Sequence, residues 1–138
     1  MDASQLQDLL AGANGFFLHF IAAAGLTGVF ALIYLWLTPY PEFQLIREGK
    51  TAPAIAFGSA VLGFVIALSG AIANSVSFLD MLVWAGVALL VQTLVFVGLK
   101  SAFADLCVRI ANDQIGPAIV LASLSLAAGL LNAACMTY

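Results

Sequence analysis

The four basic residues of this chain occupy only two short segments, which hold Arg47 and Lys50 in one case and Lys100 and Arg109 in the other. The stretches around these segments contain no Asp, Glu, Lys or Arg: 9–41, 51–79, 81–99 and 114–138. Each is close to or longer than the ~20 residues with which a helix crosses a bilayer. Because Lys and Arg concentrate in cytoplasmic loops, the pattern predicts a membrane protein with four transmembrane helices, two cytoplasmic connectors and both termini outside.

The composition favours a membrane location over the soluble classes. Of the 138 residues, 64% are hydrophobic and 8% are charged, whereas soluble domains carry roughly 25% charged residues. A soluble chain this short could not bury so much apolar surface. The net charge of -3 offers no basic surface for nucleic acid. No Lys or Arg precedes Arg47, so the first apolar stretch is expected to remain as a transmembrane helix and not to be cleaved as a signal peptide.

Proline, glycine and charged residues mark the ends of the predicted helices. The predicted bounds are about 16–37 for helix one, about 51–74 for helix two, about 80–100 for helix three, and from about 116 onward for helix four. Thr51 is the predicted N-cap of helix two, and Gly49 is the predicted end of the connector before it. The sequence therefore predicts an all-α membrane protein with a single integral membrane domain, 1–138.

The two predicted connectors are short and amphipathic. In the first, Phe43, Leu45 and Ile46 are expected to lie against the membrane, while Glu42, Arg47, Glu48 and Lys50 are expected to face water. In the second, Asp105 and Arg109 are spaced to form an i,i+4 pair. Cys107 lies in this connector and Cys135 near the outer end of helix four, so no disulfide is expected between them.

A shift of 64 residues aligns the first half of the chain with the second. The aligned positions include Pro53 with Pro117, Ile46 with Ile110, Ser59 with Ser123 and Leu62 with Leu126. Each half contains a span, a basic connector and a span that starts with proline. Because each half crosses the membrane twice, both insert in the same direction. We therefore expect a tandem 2+2 parallel repeat, with repeat 1 at about 16–74 and repeat 2 at about 80–138.

Small residues recur at every fourth position on two of the predicted helices. They are Ser59, Gly63, Ala67 and Ala71 on helix two, and Ser125, Gly129, Ala133 and Thr137 on helix four. In lipid, small residues allow the close backbone approach that holds helices together. Helices two and four are therefore expected to form the centre, with helices one and three outside. Helix one carries a shorter patch of Ala24 and Gly28. The aromatic surface of helix one and the second faces of helices two and four, which are rich in Ala and Gly, offer contact surfaces for a homodimer or small homo-oligomer.

Five polar side chains inside the predicted spans are the candidate functional positions: Gln92, Thr93, Asn132, Asn74 and His19. None is a carboxylate or a cation, which argues against an ion-coupled carrier. Gln92 is the deepest amide, and it either bonds to a neighbouring helix as a structural contact or lines a path for a solute or lipid. His19 is expected near the outer interface, where Asp80 could meet it, but a single histidine is a poor metal candidate.

The basic side chains Arg47, Lys50, Lys100 and Arg109 are expected to determine the topology. Two cations in each connector are fewer than the clusters of four to eight that mark specific lipid recognition. No motif for catalysis, metal or cofactor binding is present, and the short connectors leave little room for a catalytic site. We therefore expect a protein that is not an enzyme.

Several sequence segments resemble the YjfL-type bacterial inner-membrane family, which is built from a duplicated domain of unknown function. The segments are 43–46 after Thr38 and Pro39, 56–58 leading to Leu62 and Gly63, 84–89 with Gln92, and 131–137 with its Asn-Ala-Ala-Cys-Met run. The resemblance covers nearly the whole chain from helix one. It implies a bacterial inner membrane, four spans, no established activity or active site, and an envelope or envelope-stress role with protein partners. In such a membrane, the termini that the charge pattern places outside would be periplasmic.

Taken together, the residues and the resemblance predict a non-enzymatic membrane module that oligomerises and supports the envelope. The alternative is a small channel or passive carrier whose path runs between protomers past Gln92.

Overall fold

The structure, a computed structural model, describes residues 1–136 and consists of helices over that range. Their bounds are α1 Ala3–Leu37, α2 Glu42–Arg47, α3 Thr51–Asn74, α4 Phe78–Ala102, α5 Leu106–Ala111 and α6 Ile115–Cys135. Within 1–136, four helices are long and apolar enough to cross a membrane: α1, α3, α4 and α6. The prediction of four such helices joined by short connectors is confirmed at this level.

The first helix is longer than predicted. It begins at Ala3 and not near Phe16, so the segment expected to be a tail is helical. The backbone amide of Asp2 donates to Gln5 Oε1 at 3.0 Å, which satisfies one of the groups left open at a helix start. With 35 residues, α1 is roughly 50 Å long, well beyond the ~30 Å of a bilayer core.

The turns that end α2 and α5 have the same backbone conformation. Gly49 adopts φ 85° and Asp113 adopts φ 62°, and both lie just after a short helix. The expected stop at Gly49 is therefore found, and Asp113 takes the same role in the second half. The N-cap of α3 is Lys50, so the prediction of Thr51 as N-cap was wrong by one residue. The Asp113 carboxylate accepts the Ala52 amide at 2.8 Å and so caps α3 from a distant part of the chain.

The two connectors lie at the same end of the bundle and touch each other, which we call the connector end. Lys50 Nζ donates to the Ala111 carbonyl at 3.4 Å, next to the Asp113 contact. Their backbone hydrogen bonds correspond at an offset of 64 residues. The pairs are Leu45 N to Pro41 O with Arg109 N to Asp105 O, Gly49 N to Ile46 O with Asp113 N to Ile110 O, and Lys50 N to Leu45 O with Gln114 N to Arg109 O.

The long helices pack around α3. Its most extensive contact is with α6, followed by α4 and α1, and half of its most apolar stretch is buried. The most apolar stretch of α1, in contrast, is only 6% buried. The structure thus agrees with the expectation that the second and fourth long helices pack against each other. It differs in one respect, because α6 is no more buried than α4, at 22% each.

Candidate functional site

The deepest predicted polar residue, Gln92, lies where α3 and α6 cross. Its side chain is 3% exposed, and Nε2 donates to the Ser125 carbonyl at 3.1 Å. A Cβ on Gly63 would collide with this carbonyl and with Gln92, and a Cβ on Gly129 would collide with the Gly63 carbonyl. The close approach of the α3 and α6 backbones therefore requires both glycines. The hydrogen bond from Gln92 joins α4 to this crossing.

Most members of the two small-residue stripes lie in the interior. Ser59, Gly63, Ala67 and Ala71 on α3 and Ser125 and Gly129 on α6 are buried, and Ala133 is half-buried. A Cβ on Gly70 would collide with Ala133, so the close approach continues along the helices. Thr137, the last member of the predicted stripe, lies outside the described residues.

The other predicted polar residues form local contacts. Thr93 Oγ1 donates to the Leu89 carbonyl at 2.7 Å and Asn74 Nδ2 donates to the Gly70 carbonyl at 2.9 Å, each within its own helix. Asn132 Nδ2 is buried without a hydrogen-bond partner. His19 Nδ1 lies 2.7 Å from the Gly15 carbonyl, and its ring packs edge-on against Phe78. These residues do not come together as one site.

His19 and Asn132 lie in different surface grooves. The groove of His19, about 450 Å³, runs between α1 and Ile72 of α3. The groove of Asn132, about 370 Å³, runs between α4 and α6 beside Trp84. Within 1–136, no group of three or more His, Cys, Asp or Glu side chains is placed to hold a metal ion.

The basic side chains remain near the connector end. Arg109 and Asp105 approach to 4.0 Å as the predicted i,i+4 pair, and both are largely exposed. Lys100 Nζ donates to the Leu37 carbonyl at 2.9 Å and so closes the exposed end of α1. Arg47 is exposed. Lys50 and Lys100 therefore bind backbone carbonyls, Arg109 contacts the Asp105 and Gln114 side chains, and Arg47 is exposed, so the four cations do not gather into a single anion site.

A polar cluster at the connector end was missed in the sequence analysis. Glu42, which was expected to face water, is the first residue of α2 and is only 2% exposed. The physical reason is helical spacing, since Glu42 shares the inward face of α2 with Leu45, three residues later. Phe43, Arg47 and Glu48 take the outward face.

Hydroxyl groups surround the Glu42 carboxylate. Thr38 and Tyr40 interact directly with it, and Tyr34 interacts with both Tyr40 and Glu42. Among residues 1–136, the buried side-chain atoms without a well-formed hydrogen bond are both Glu42 oxygens, the Tyr34 and Tyr40 hydroxyls, and Asn132 Nδ2. All but the last belong to this one cluster, so it contains most of the unsatisfied buried side-chain atoms of residues 1–136.

The walls of this cluster are aromatic. The Tyr34 ring lies 4.9 Å from Phe96 and 5.6 Å from Phe57, measured between ring centroids. Phe43 packs edge-on against Phe57 at 5.8 Å. The Glu42 side chain beside these rings is 2% exposed, and this burial away from water makes an ionised group there costly.

Burial changes the acidity of the cluster. It raises the pKa of Glu42 from the ordinary 4.5 to about 7, although the Thr38 and Tyr40 hydroxyls oppose the shift. Burial and then Glu42 raise the pKa of the Tyr40 hydroxyl. Burial also raises the pKa of the Cys107 thiol, with Lys100 acting against it and Glu42 adding to it. Glu42 is therefore the member of the cluster that can exchange a proton near neutral pH.

The sequence carried one signal for this site. Glu42, Leu45 and Ile46 have the i, i+3, i+4 spacing of a buried helix face, and Glu42 occupies the first place in that pattern. The 64-residue shift places Leu106 on Glu42, and Leu106 is buried at 3% exposure. An apolar residue at the matching position would have indicated that position 42 faces inward.

Comparison with known proteins places the chain in a family. The family described as Domain of Unknown Function (DUF350) matches residues 6–136. The chain belongs to this family. Two relatives, each called "UPF0719 inner membrane protein YjfL", come from Escherichia coli strain K12 and Escherichia coli O157:H7. Each is 38% identical over 120 residues, which cover 87% of this chain and 91% of the relative. The family expected from the sequence is confirmed, and no solved structure matches the chain.

Proposed function

We propose that this DUF350 member is a bacterial inner-membrane protein and acts as a non-enzymatic, homodimeric module in envelope maintenance or stress, together with a protein partner. The four apolar helices and the names of the Escherichia coli relatives support the membrane assignment. The short connectors, each with a helix of six residues, support a role other than catalysis.

The proposed topology has cytoplasmic connectors and periplasmic termini. The contact between Lys50 and Ala111 supports placing both connectors on one side. All four Lys and Arg residues lie in or beside these connectors, in agreement with the positive-inside rule. The matching turns at Gly49 and Asp113 support a tandem repeat of about 16–74 and 80–138.

The observation that carries the dimer proposal is the surface of α1. Little of the surface of α1 is buried against the rest of the chain. Near the middle of its membrane-spanning part, it exposes three small residues, Ala24, Gly25 and Gly28. A Cβ on either glycine would meet nothing within 4 Å. Small residues that serve no contact within a chain fit a close approach by a second copy, and symmetric homodimers are the commonest assembly.

Measurement of the particle mass in nanodiscs tests this surface. We expect the wild type to be a dimer and Gly28→Leu to be a monomer, because leucine would keep the two α1 backbones apart. Gly86→Leu is the matched control, since Gly86 is an exposed glycine in α4 that also has no atom within 4 Å of a Cβ. It should remain dimeric. A monomeric wild type, or a Gly28→Leu protein that stays dimeric, would contradict the α1 interface.

The alternative of a channel between protomers receives less support. Its proposed path passed Gln92, but this side chain is buried within one chain and bonded to Ser125. A path between α1 helices would instead meet mainly apolar side chains, such as Ile21, Val29 and Leu32.

A further inference from the structure

The carboxylate of Glu42 is not needed to fold its connector. Its counterpart in the second half, Leu106, also begins a six-residue helix and is equally buried. The backbone hydrogen bonds around the two positions correspond, with Leu45 N to Pro41 O in one half and Arg109 N to Asp105 O in the other. Leucine fills this position without the desolvation cost of a carboxylate, so packing does not explain Glu42.

The hydroxyl groups around Glu42 also belong to one half only. The residues that correspond to Tyr34, Thr38 and Tyr40 after the 64-residue shift are Gly98, Ala102 and Ala104. The second half thus lacks the carboxylate and all three hydroxyls together. All four polar groups are present in the first half and all four are missing from the second. This joint occurrence indicates that they act together as one site.

The groups around Glu42 come from several elements. Tyr34 comes from α1, Thr38 and Tyr40 come from the link after α1, and Cys107 comes from α5. Phe57 of α3 packs against the Tyr34 ring, and Lys100 of α4 acts on Cys107. On α2 itself, Arg47 and Glu48 are exposed. Lys100 donates to the Leu37 carbonyl, and within residues 1–136 no ion pair reaches Glu42.

A buried carboxylate without a cationic partner must be neutralised by a proton or by a bound cation. A hard metal cation takes about six oxygen ligands, which exceeds one carboxylate and three hydroxyls. A proton needs no such shell, and a hydroxyl group can accept from the acid or donate to its anion. We propose that Glu42 is a reversible proton-binding site at the connector end, with the Thr38 and Tyr40 hydroxyls as the hydrogen-bond partners of its carboxyl group.

The exchange is a simple acid dissociation. The carboxylic acid releases its proton to water at the connector end and becomes a carboxylate, and it regains the proton by the reverse step. The Thr38 and Tyr40 hydroxyls can donate to the anion, but burial still disfavours it. Release of the proton therefore favours outward movement of α2, because this helix is short and carries Glu42, so that its movement brings the carboxylate to water. The protonation of Glu42 is thus coupled to the position of α2.

Infrared difference spectroscopy of the protein in nanodiscs tests the site. We expect the wild type to show the C=O band of a protonated carboxyl group that is lost as the pH rises through neutrality. The band should be missing from Glu42→Gln and from Glu42→Leu, and the leucine variant should fold because Leu106 occupies the matching position. Glu48→Gln is the matched control, since Glu48 is an exposed carboxylate close to α2, and it should keep the band.

Repeating the titration with sodium, potassium or only a large organic cation separates the proton from a metal ion. A band whose midpoint is the same in all three solutions supports proton binding. A midpoint that moves with sodium or potassium, or a wild type with no band that Glu42→Gln removes, overturns the proposal.

Hydrogen exchange tests the coupling to α2. After correction for intrinsic rates, the amides of α2 should lose protection as the pH rises through neutrality in the wild type. Glu42→Leu should keep its protection over the same range. Equal behaviour of the two proteins would overturn the coupling, even if the carboxyl group titrates.

Discussion

The two halves of the chain contain the same succession of long, short and long helices but bury them differently. Half of the apolar stretch of α3 is buried, against 22% for its counterpart α6. Gly63 of α3 lies against α6, whereas the matching Ala127 is exposed. Glu42 lies among hydroxyls, whereas the positions of the second half that correspond to Tyr34, Thr38 and Tyr40 are Gly98, Ala102 and Ala104. Two similar successions of helices therefore differ in burial and in the polar groups at the connector end.

The largest expected effect tests the difference between α3 and α6. Gly63→Leu should destabilise the protein by about 3 kcal/mol or more, because the new side chain would collide with backbone that cannot easily move. Ala127→Leu places the same side chain at the matching, exposed position and should change stability by less than about 0.5 kcal/mol. Unfolding in SDS, followed by circular dichroism, measures both. Similar losses for the two variants would mean that the halves are equivalent.

A second prediction concerns the two buried positions at the connector end. Leu106→Glu should destabilise the protein by about 2 kcal/mol at neutral pH and above, because the residues that correspond to the three hydroxyl residues around Glu42 are Gly98, Ala102 and Ala104. Val108→Glu is the exposed control. If Leu106→Glu lost no more stability than this control, the hydroxyls around Glu42 would not be the reason that position 42 accepts a carboxylate.

The pH dependence in this comparison has a definite sign. Because the pKa of Glu42 is raised from 4.5 to about 7, the folded state holds the proton more tightly than the unfolded state. The contribution of this proton to the stability of the folded state is complete below pH 4.5, falls as the pH rises to about 7, and is absent above that pH. Glu42→Leu should remove this part of the slope, which SDS unfolding over the same pH range can measure.

The smallest effect concerns the bond that joins α4 to the crossing of α3 and α6. Gln92→Leu should cost about 0.6 kcal/mol, the average for a hydrogen bond between membrane helices. Thr93→Val is the control, since the Thr93 hydroxyl bonds only within its own helix, and it should cost less. The same unfolding assay compares them, and a larger loss for Thr93→Val would contradict the structural role of Gln92.

The sequence was sufficient for the features that depend on local pattern. The spacing of charges predicted four long apolar helices, and the spacing of small residues predicted the contact between α3 and α6. Glu42 was misplaced because a charged residue in a connector is exposed by default, and only comparison with Leu106 reveals its burial. The start of α1 was misplaced because the early residues carry polar groups that ended the apolar run without ending the helix.

Contacts between distant segments were beyond local pattern. Thr51 was a reasonable N-cap by residue type. The acceptor for the first turn of α3 is instead the Asp113 carboxylate, which binds the Ala52 amide from 61 positions later in the chain. The burial of Glu42 likewise depends on side chains from α1, α3, α4 and α5. Neither arrangement can be read from the residues next to it.

The capping of α3 by Asp113 has a consequence for the order in which the protein is made. When the start of α3 leaves the ribosome, Asp113, which caps its first turn, and Ala111, the carbonyl partner of Lys50, have not yet emerged, because each lies 61 positions after the residue that it contacts. The first half therefore enters the membrane with an open helix start. It reaches its final form only when the second half has been inserted and its connector has docked at the same surface.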